Sequence, residues 1–300
     1  MRGWSDPRMP TIKGLRRRGF SAEVMNTFCT QIGVTRNENT VEYEKLTSVA
    51  RAVLHEKSPR VMAVLNPVLV VIANLAEVAG PAAAVAGGEA DGVVQWEAPD
   101  FPHDPARGSH FVQMVSTVYI DQSDIRLVDS PDFFGFAPDK IVGLKYAFRV
   151  HVDSVETNDQ GDIERVLVTA LPLDSSVKPK TSVQWVSTHL NVPMEARMYS
   201  TLFTCEEVPD DEWEKALNPT SEVVHANGFV DASIFKWNPV PESGFQFERL
   251  GFFVVDSDSA VLPSICPSTA VNVENPKLVF NLTVPLKVSI AFVLLCAQRH

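Results

Sequence analysis

Cysteine is scarce and scattered in this 300-residue chain. Cys29, Cys205, Cys266 and Cys296 form no CxxC pair, which excludes a zinc knuckle or a disulfide scaffold and leaves reduced, mostly packed thiols. No apolar run reaches the roughly 18 residues of a membrane span. The opening MRGWSDPRMP also lacks the apolar stretch of a signal peptide, so the expectation is a cytoplasmic protein without a membrane partner. Positive charge is in deficit, with 26 Lys and Arg against 37 Asp and Glu for a net −11. That balance argues against a uniformly basic nucleic-acid binder, and DNA is not an expected partner. The local signatures of catalysis are missing too: no Gly-rich phosphate loop, no HExxH and no GxSxG. The histidines are scattered and read as surface or core-edge residues, and the loop acids Asp129, Asp132 and Asp139 have no metal-ligand spacing.

The charge that is present is uneven. Residues 1–60 carry 11 Lys and Arg against 6 Asp and Glu, whereas residues 61–300 carry 15 against 31. In TIKGLRRRGF, Lys13 precedes Arg16, Arg17 and Arg18, a cluster that reads either as a seat for phosphates or as a solvated turn. Ser21 caps a helix whose apolar face is Met25, Phe28, Cys29 and Ile32, closed by Gly33. Thr40 starts a second, with Tyr43, Leu46, Ala50 and Val53 on one stripe, ended by Ser58-Pro59.

From Val61 the pattern changes to short apolar or alternating runs, among them VMAVL, VLVVIANL, FVQMVSTVYI, IVGLKYAFRVHV, IERVLVTAL, SVQWVSTHL, FERLGFFVV and KLVFNLTV. Strands this numerous, without helical periods between them, predict closed or nearly closed antiparallel barrels. The small-residue stretch AEVAGPAAAVAGGEADG is expected to be a flexible loop, and residues 257–275 an excursion from a barrel. The apolar ending VSIAFVLLCAQRH is expected to be a last strand or a poorly placed tail.

The opening GWSDPRMPTIKGLRRRGFSAEVMNTFCTQIGVTRNENT resembles glutaminyl-tRNA synthetase just after that family's second ATP-binding signature, the KMSKS-type loop. The resemblance continues in SPRVMAVLNPVLVVIANL, APDFPHDPARGSHFV, KPKTSVQWVSTHLNVPMEARMYSTLF, FQFERLGFFVVD and KLVFNLTVPLK, and so covers most of residues 3–287. GLRRRGF followed by FCTQIGVT is similar to the glutaminyl branch of class I synthetases and less so to its glutamyl relative.

The resemblance implies an ATP-dependent ligase joining glutamine to its tRNA, with a catalytic domain, a helical subdomain and two β-barrels that hold the anticodon. The expected architecture is mainly β. A helical subdomain spans residues 1–65, a proximal barrel residues 66–128 with 222–300, and a distal barrel, inserted into the proximal one, residues 129–221. Neither the HIGH-type nor the KMSKS-type signature occurs in the chain. The expectation is that this polypeptide alone does not aminoacylate and binds no cofactor, ATP and Mg²⁺ serving the complete enzyme. The implied partners are a glutamine tRNA, other synthetases or a catalytic half. A non-catalytic half-synthetase that binds RNA or protein is the rival reading.

The resemblance also assigns residues. Arg60, Gln246 and Arg249 match positions that recognise the middle anticodon base, a uridine. Lys145 matches an arginine position at the first base, and Lys287 keeps a later basic position. Arg249 read without the resemblance is a barrel-surface ion pair with Glu248 or a neighbouring strand. Lys13, Arg16, Arg17 and Arg18 are expected against the tRNA backbone. Where the family has a Lys-Arg pair for the third base, this chain has Phe133, Phe134, Gly135 and Phe136, read as a base-stacking surface or a barrel plug, and Leu282 replaces a common arginine.

Overall fold

A computed structural model describes residues 3–33, 41–79, 93–205, 208, 211, 213–259 and 277–286. The sequence begins with three helices. Helix α1 (Ile12–Arg17) is capped by Thr11, whose hydroxyl accepts from the Gly14 N–H at 2.9 Å, and its last turn places Arg16 and Arg17 at the negative end of the helix dipole. Helix α2 (Ala22–Ile32) starts and stops as its sequence dictates, with Ser21 accepting from Val24 N–H and Gly33, at φ +72°, donating back to the Cys29 carbonyl. Its expected apolar face is only half used. Val24 is buried and Met25 and Phe28 are half-buried, while Cys29 and Ile32 are exposed, because only the first half of α2 reaches the core.

Helix α3 (Tyr43–Lys57) begins two residues later than expected. Its N-cap is Glu42, without a side-chain bond, and Thr40 lies outside the described residues. It ends at Ser58, as the following proline requires. These helices bury Phe20, Val24, Leu46, Val49, Ala50 and Leu54 against Phe252 and Val284 of a sheet. Gly19 makes the close approach possible: at φ +102° it lies against Val254 and Thr283, where any side chain would collide.

The rest is β. One sheet contains β1 (Arg60–Val61), β2 (Ala63–Val64), β12 (Asn191–Tyr199), β13 (Glu222–Asp231), β14 (Gly244–Phe247), β15 (Gly251–Val255) and β16 (Leu278–Pro285), in the order β1-β14-β15-β16-β12-β13-β2. Its two edge strands are consecutive in the chain, separated by Met62 alone. One kinked strand therefore pairs with both edges and closes the sheet into a barrel with no free edge.

The second sheet repeats this device. It contains β3 (Pro67–Ile72), β6 (Thr117–Asp121), β7 (Ile141–Leu144), β8 (Arg149–Thr157), β9 (Ile163–Ala170), β10 (Ser182–Val183) and β11 (Val186–Ser187), in the order β10-β7-β8-β9-β3-β6-β11. Here β10 and β11 are the halves of a strand kinked at Gln184 and Trp185. The two barrels have the same neighbour order, except that the kinked strand comes first in one and last in the other. The chain thus leaves the first barrel at Val64, builds the whole second barrel, and re-enters at Asn191. A separate hairpin, β4 (Val94–Pro99) with β5 (Ser109–Met114), is inserted between β3 and β6.

Four expectations are corrected. The barrels are not purely antiparallel: β1 with β14 and β12 with β16 run parallel, as do β7 with β10 and β3 with β9. In the first barrel the connection from β13 to β14 crosses over the kinked strand, so β14 arrives parallel to it. The boundaries shift as well. Strands β3 and β6 pair with β9 and β11 of the distal barrel, whereas Arg60–Val64 and Asn191–Tyr199 belong to the proximal one. Strand runs show where strands are but not whom they pair with. Third, β4, β12 and β13 are strands that the apolar runs did not show, because charged or polar residues such as Glu195, Arg197 and His225 interrupt their alternation. Finally, the expected loop after β3 starts with a helical turn, α4 (Leu75–Ala79), anchored by buried Leu75. Its alanine-rich remainder, most of residues 257–275, Lys287 and the apolar tail lie outside the described residues. No helix among the described residues is long and apolar enough to cross a membrane.

Candidate functional site

The equivalent hairpins of the two barrels meet tip to tip. The turn between β14 and β15 is Phe247-Glu248-Arg249-Leu250, and that between β7 and β8 is Leu144-Lys145-Tyr146-Ala147. Each is closed by a backbone bond from its fourth residue to its first, at 3.1 and 3.0 Å. The third residue of each is left-handed, Arg249 at φ 62° and Tyr146 at φ 64°. A non-glycine residue pays for that geometry with about 1 kcal/mol, and here it projects two long side chains from the tips.

Glu248 joins the tips. It is buried, receives Lys145 Nζ on Oε2 at 2.8 Å, and accepts the Tyr146 hydroxyl on Oε1. Burial, then the Glu248 charge and hydrogen bond, push the Tyr146 hydroxyl well above the ordinary tyrosine range, against the opposing charge of Arg60. Arg249 reaches the other way. Its Nη1 and Nη2 each meet one oxygen of Asp124 at 2.7 Å, and Nη1 also meets Gln184 Oε1 at 2.8 Å. Asp124 lies in the 3₁₀ turn after β6, and Gln184 at the kink of the distal barrel's closing strand.

Arg60 and Gln246 stand opposite one another in the parallel β1–β14 register. Gln246 is 3% exposed, and its Oε1 has no hydrogen-bond partner among the described residues. A buried polar atom left unpaired costs about 1–3 kcal/mol, a cost that a ligand donor would remove. The structure therefore brings Arg60, Lys145, Gln246 and Arg249 to one junction between the barrels. Arg249 pairs with Asp124 of the other barrel rather than with Glu248.

The N-terminal cluster is split. Lys13 is exposed and Arg16, also exposed, meets Glu242 at 2.9 Å. Arg17 and Arg18 are not available to a phosphate. Arg17 makes a double hydrogen bond to Asp256 at 2.9 and 2.8 Å, and Arg18, 8% exposed, lies between the rings of Tyr43 and Tyr199. Both tie the end of α1 to the proximal barrel, Arg17 at the acidic end of β15 and Arg18 at the end of β12, where its Nη2 donates to the Tyr199 carbonyl at 3.3 Å. The phenylalanines divide too. Phe136 is a core plug, Phe133 is buried under the Arg126 guanidinium at 4.4 Å, and Phe134 stands 52% exposed. Leu282 is a core residue of the proximal barrel.

Asp124, Gln184 and Tyr146 were not identified from the sequence. The internal repeat, in which YIDQSDI ends β6 as FVDASIF ends β13, marks the turn that carries Asp124, since Asp121 and Asp231 cap equivalent 3₁₀ turns through Ser123 and Ser233 N–H at 3.0 and 2.9 Å, but it aligns Asp124 with Ile234 and does not reach Gln184 or Tyr146. No group of three His, Cys, Asp or Glu among the described residues is placed to hold a metal ion.

Three family models match the chain. Residues 1–56 match the catalytic domain of class I tRNA synthetases (E and Q), and residues 58–171 and 182–256 match anticodon-binding domains of that class. Among curated proteins it is 37% identical over 289 residues to a probable glutamine–tRNA ligase of Dictyostelium discoideum, covering 95% of this chain and 33% of the relative. It is 37% identical over 295 residues to a glutamine–tRNA ligase of Haemophilus influenzae, covering 95% of the chain and 47% of the relative. A cytoplasmic glutamine–tRNA ligase of Arabidopsis thaliana is 35% identical over 295 residues, covering 95% and 34%. The chain thus spans a third to about half the length of these relatives.

Proposed function

The chain belongs to the class I tRNA synthetases for glutamate and glutamine, and on that premise we propose that it is the tRNA-binding part of a glutamine–tRNA ligase, with the barrel junction reading the middle base of the anticodon. The attachment of glutamine, with its ATP and Mg²⁺, belongs on this reading to the catalytic domain, of which residues 1–56 match a part.

The observation that carries the reading is the buried, unpartnered Oε1 of Gln246 beside Arg60. RNA readers grip unstacked loop bases by their pairing edges. A uracil offers an N3–H donor to Oε1 and carbonyl oxygens to guanidinium donors. A cytosine in the same place presents a bare N3 acceptor to Oε1, so two acceptors face each other.

Gln246→Leu tests this. It keeps the volume and removes the orphan acceptor, so the free chain should gain about 1 kcal/mol of stability. The preference for a uridine over a cytidine middle base should fall by about tenfold or more. Urea melts and filter binding to the two anticodon stem-loops measure both. A variant with unchanged selectivity contradicts the assignment.

A further inference from the structure

The junction holds three cations, Arg60, Lys145 and Arg249, and two carboxylates, Asp124 and Glu248. The carboxylates are not scattered among the cations. Asp124 takes both terminal nitrogens of Arg249, each at 2.7 Å, and Glu248, almost wholly buried, takes Lys145 at 2.8 Å. The Tyr146 hydroxyl holds the second oxygen of Glu248, and Gln184 occupies a further hydrogen of Arg249 Nη1. What Arg249 has left is Nε–H and the outer hydrogen of Nη2, neither of which has a hydrogen-bond partner among the described residues. These two lie side by side and parallel, a fork of fixed direction on a charge that is already neutralised. With its charge neutralised, such a fork keeps its directional hydrogen bonds for a base edge but attracts a phosphate less than a free guanidinium would.

We infer that Asp124 and Glu248 are specificity-determining residues that withhold Arg249 and Lys145 from RNA phosphates and reserve them for base edges. This rests on the anticodon reading for the identity of the base, but the withholding itself does not. Counterion release ties it to a measurable quantity. Each cation that neutralises a single-strand phosphate steepens the dependence of log K on log salt by about 0.7, and a cation held by a carboxylate contributes little of that. The same two acids belong to the excess of acid over base that residues 61–300 carry as a whole, although the junction itself holds three cations to two acids. That excess discourages the non-specific phosphate binding that would otherwise compete with base reading.

The test is filter binding of the full chain, across a salt series, to three RNAs: an anticodon stem-loop with a uridine middle base, the same with cytidine, and a mixed-sequence single strand. Asp124→Asn keeps the shape and removes the charge. It should tighten binding to the mixed strand several-fold at low salt, steepen the salt slope by about 0.7 and shrink the uridine preference by about tenfold. All three changes should vanish in the Arg249→Ala background. Glu248→Gln should do the same through Lys145, its effect vanishing with Lys145→Ala. An unchanged slope, or a steeper one that survives removal of the cation, overturns the proposal. So does loss of folded protein in both acid variants, which would assign the acids to structure alone. If the parent chain does not discriminate the middle base while the slopes steepen as described, the withholding stands and the anticodon reading falls. Discrimination with unchanged slopes means the reverse.

Discussion

Trp185→Ala is expected to cost about 3–5 kcal/mol and to weaken RNA binding in the fraction that remains folded. Trp185 is fully buried at the kink between β10 and β11, where one strand closes the distal barrel. Removing the indole leaves a large cavity among Val, Leu and Phe side chains of that core. Its Nε1–H also donates to the Lys145 carbonyl at 2.9 Å, and so supports the turn that presents Lys145 and Tyr146. Trp185→Phe separates the two effects. It keeps most of the volume and loses the donor, so it should cost about 1–2 kcal/mol and still loosen the hairpin tip. A urea midpoint for Trp185→Ala equal to that of the parent would contradict the closure described.

Asp256→Ala is expected to cost about 3 kcal/mol, the lower end for breaking a buried ion pair, because Asp258 remains as a second partner. Asp256 is buried at the end of β15, bonded by Arg17 Nε and Nη2 at 2.9 and 2.8 Å, by the Asp258 N–H at 2.8 Å and by Asn281. Arg17 and Arg197 both reach Asp258 as well, at 2.9 and 2.7 Å. Without the Asp256 carboxylate, Arg17 keeps only the half-exposed Asp258, which it shares with Arg197, and the tie from α1 to the proximal barrel is weakened.

The same group sets a pH dependence. Burial alone pushes the Asp256 carboxyl up, but hydrogen bonds from Arg17, Asp258 and Asn281, with the Arg17 charge, bring it down from 3.8 to about 2. A carboxyl held lower in the folded state stabilises fully above its unfolded value, and the contribution is lost as pH falls through the folded one. Between about pH 4 and pH 2 the parent chain should therefore lose about 2 kcal/mol that Asp256→Ala does not lose. Urea melts at the two pH values measure the difference, and parallel profiles for the two proteins would refute the ion-pair account.

Local signals in the sequence were reliable where a structure is decided locally. Ser21 and Gly33 cap α2 as their chemistry requires, and Pro59 stops α3. The apolar runs from Val61 are strands, because alternation reports burial on one face. Pairing was not legible. Val70 belongs beside Val166, nearly a hundred residues on, and nothing at either position says so. Strand β12 was hidden by Glu195 and Arg197, charges that a strand tolerates here only because Arg197 is held by Glu195 and Asp258. The site divides in the same way. Arg60, Lys145, Gln246 and Arg249 were named only through the resemblance of short local motifs to a known family, which reaches across the distances between them. Asp124 was missed because its partner Arg249 lies 125 residues away. The basic run misled for a related reason: Arg17 and Arg18 look free in sequence, and their partners Asp256 and Tyr199 enter from the far end of the chain.

The central claim is that the barrel junction reads a uridine by its pairing edge. The most direct measurement is the dissociation constant of the unmodified chain for two anticodon stem-loops that differ only in a middle uridine or cytidine, at one fixed salt concentration. Binding about tenfold or more tighter to the uridine form, as one directional base contact predicts, supports the account. Equal affinity for the two would contradict it.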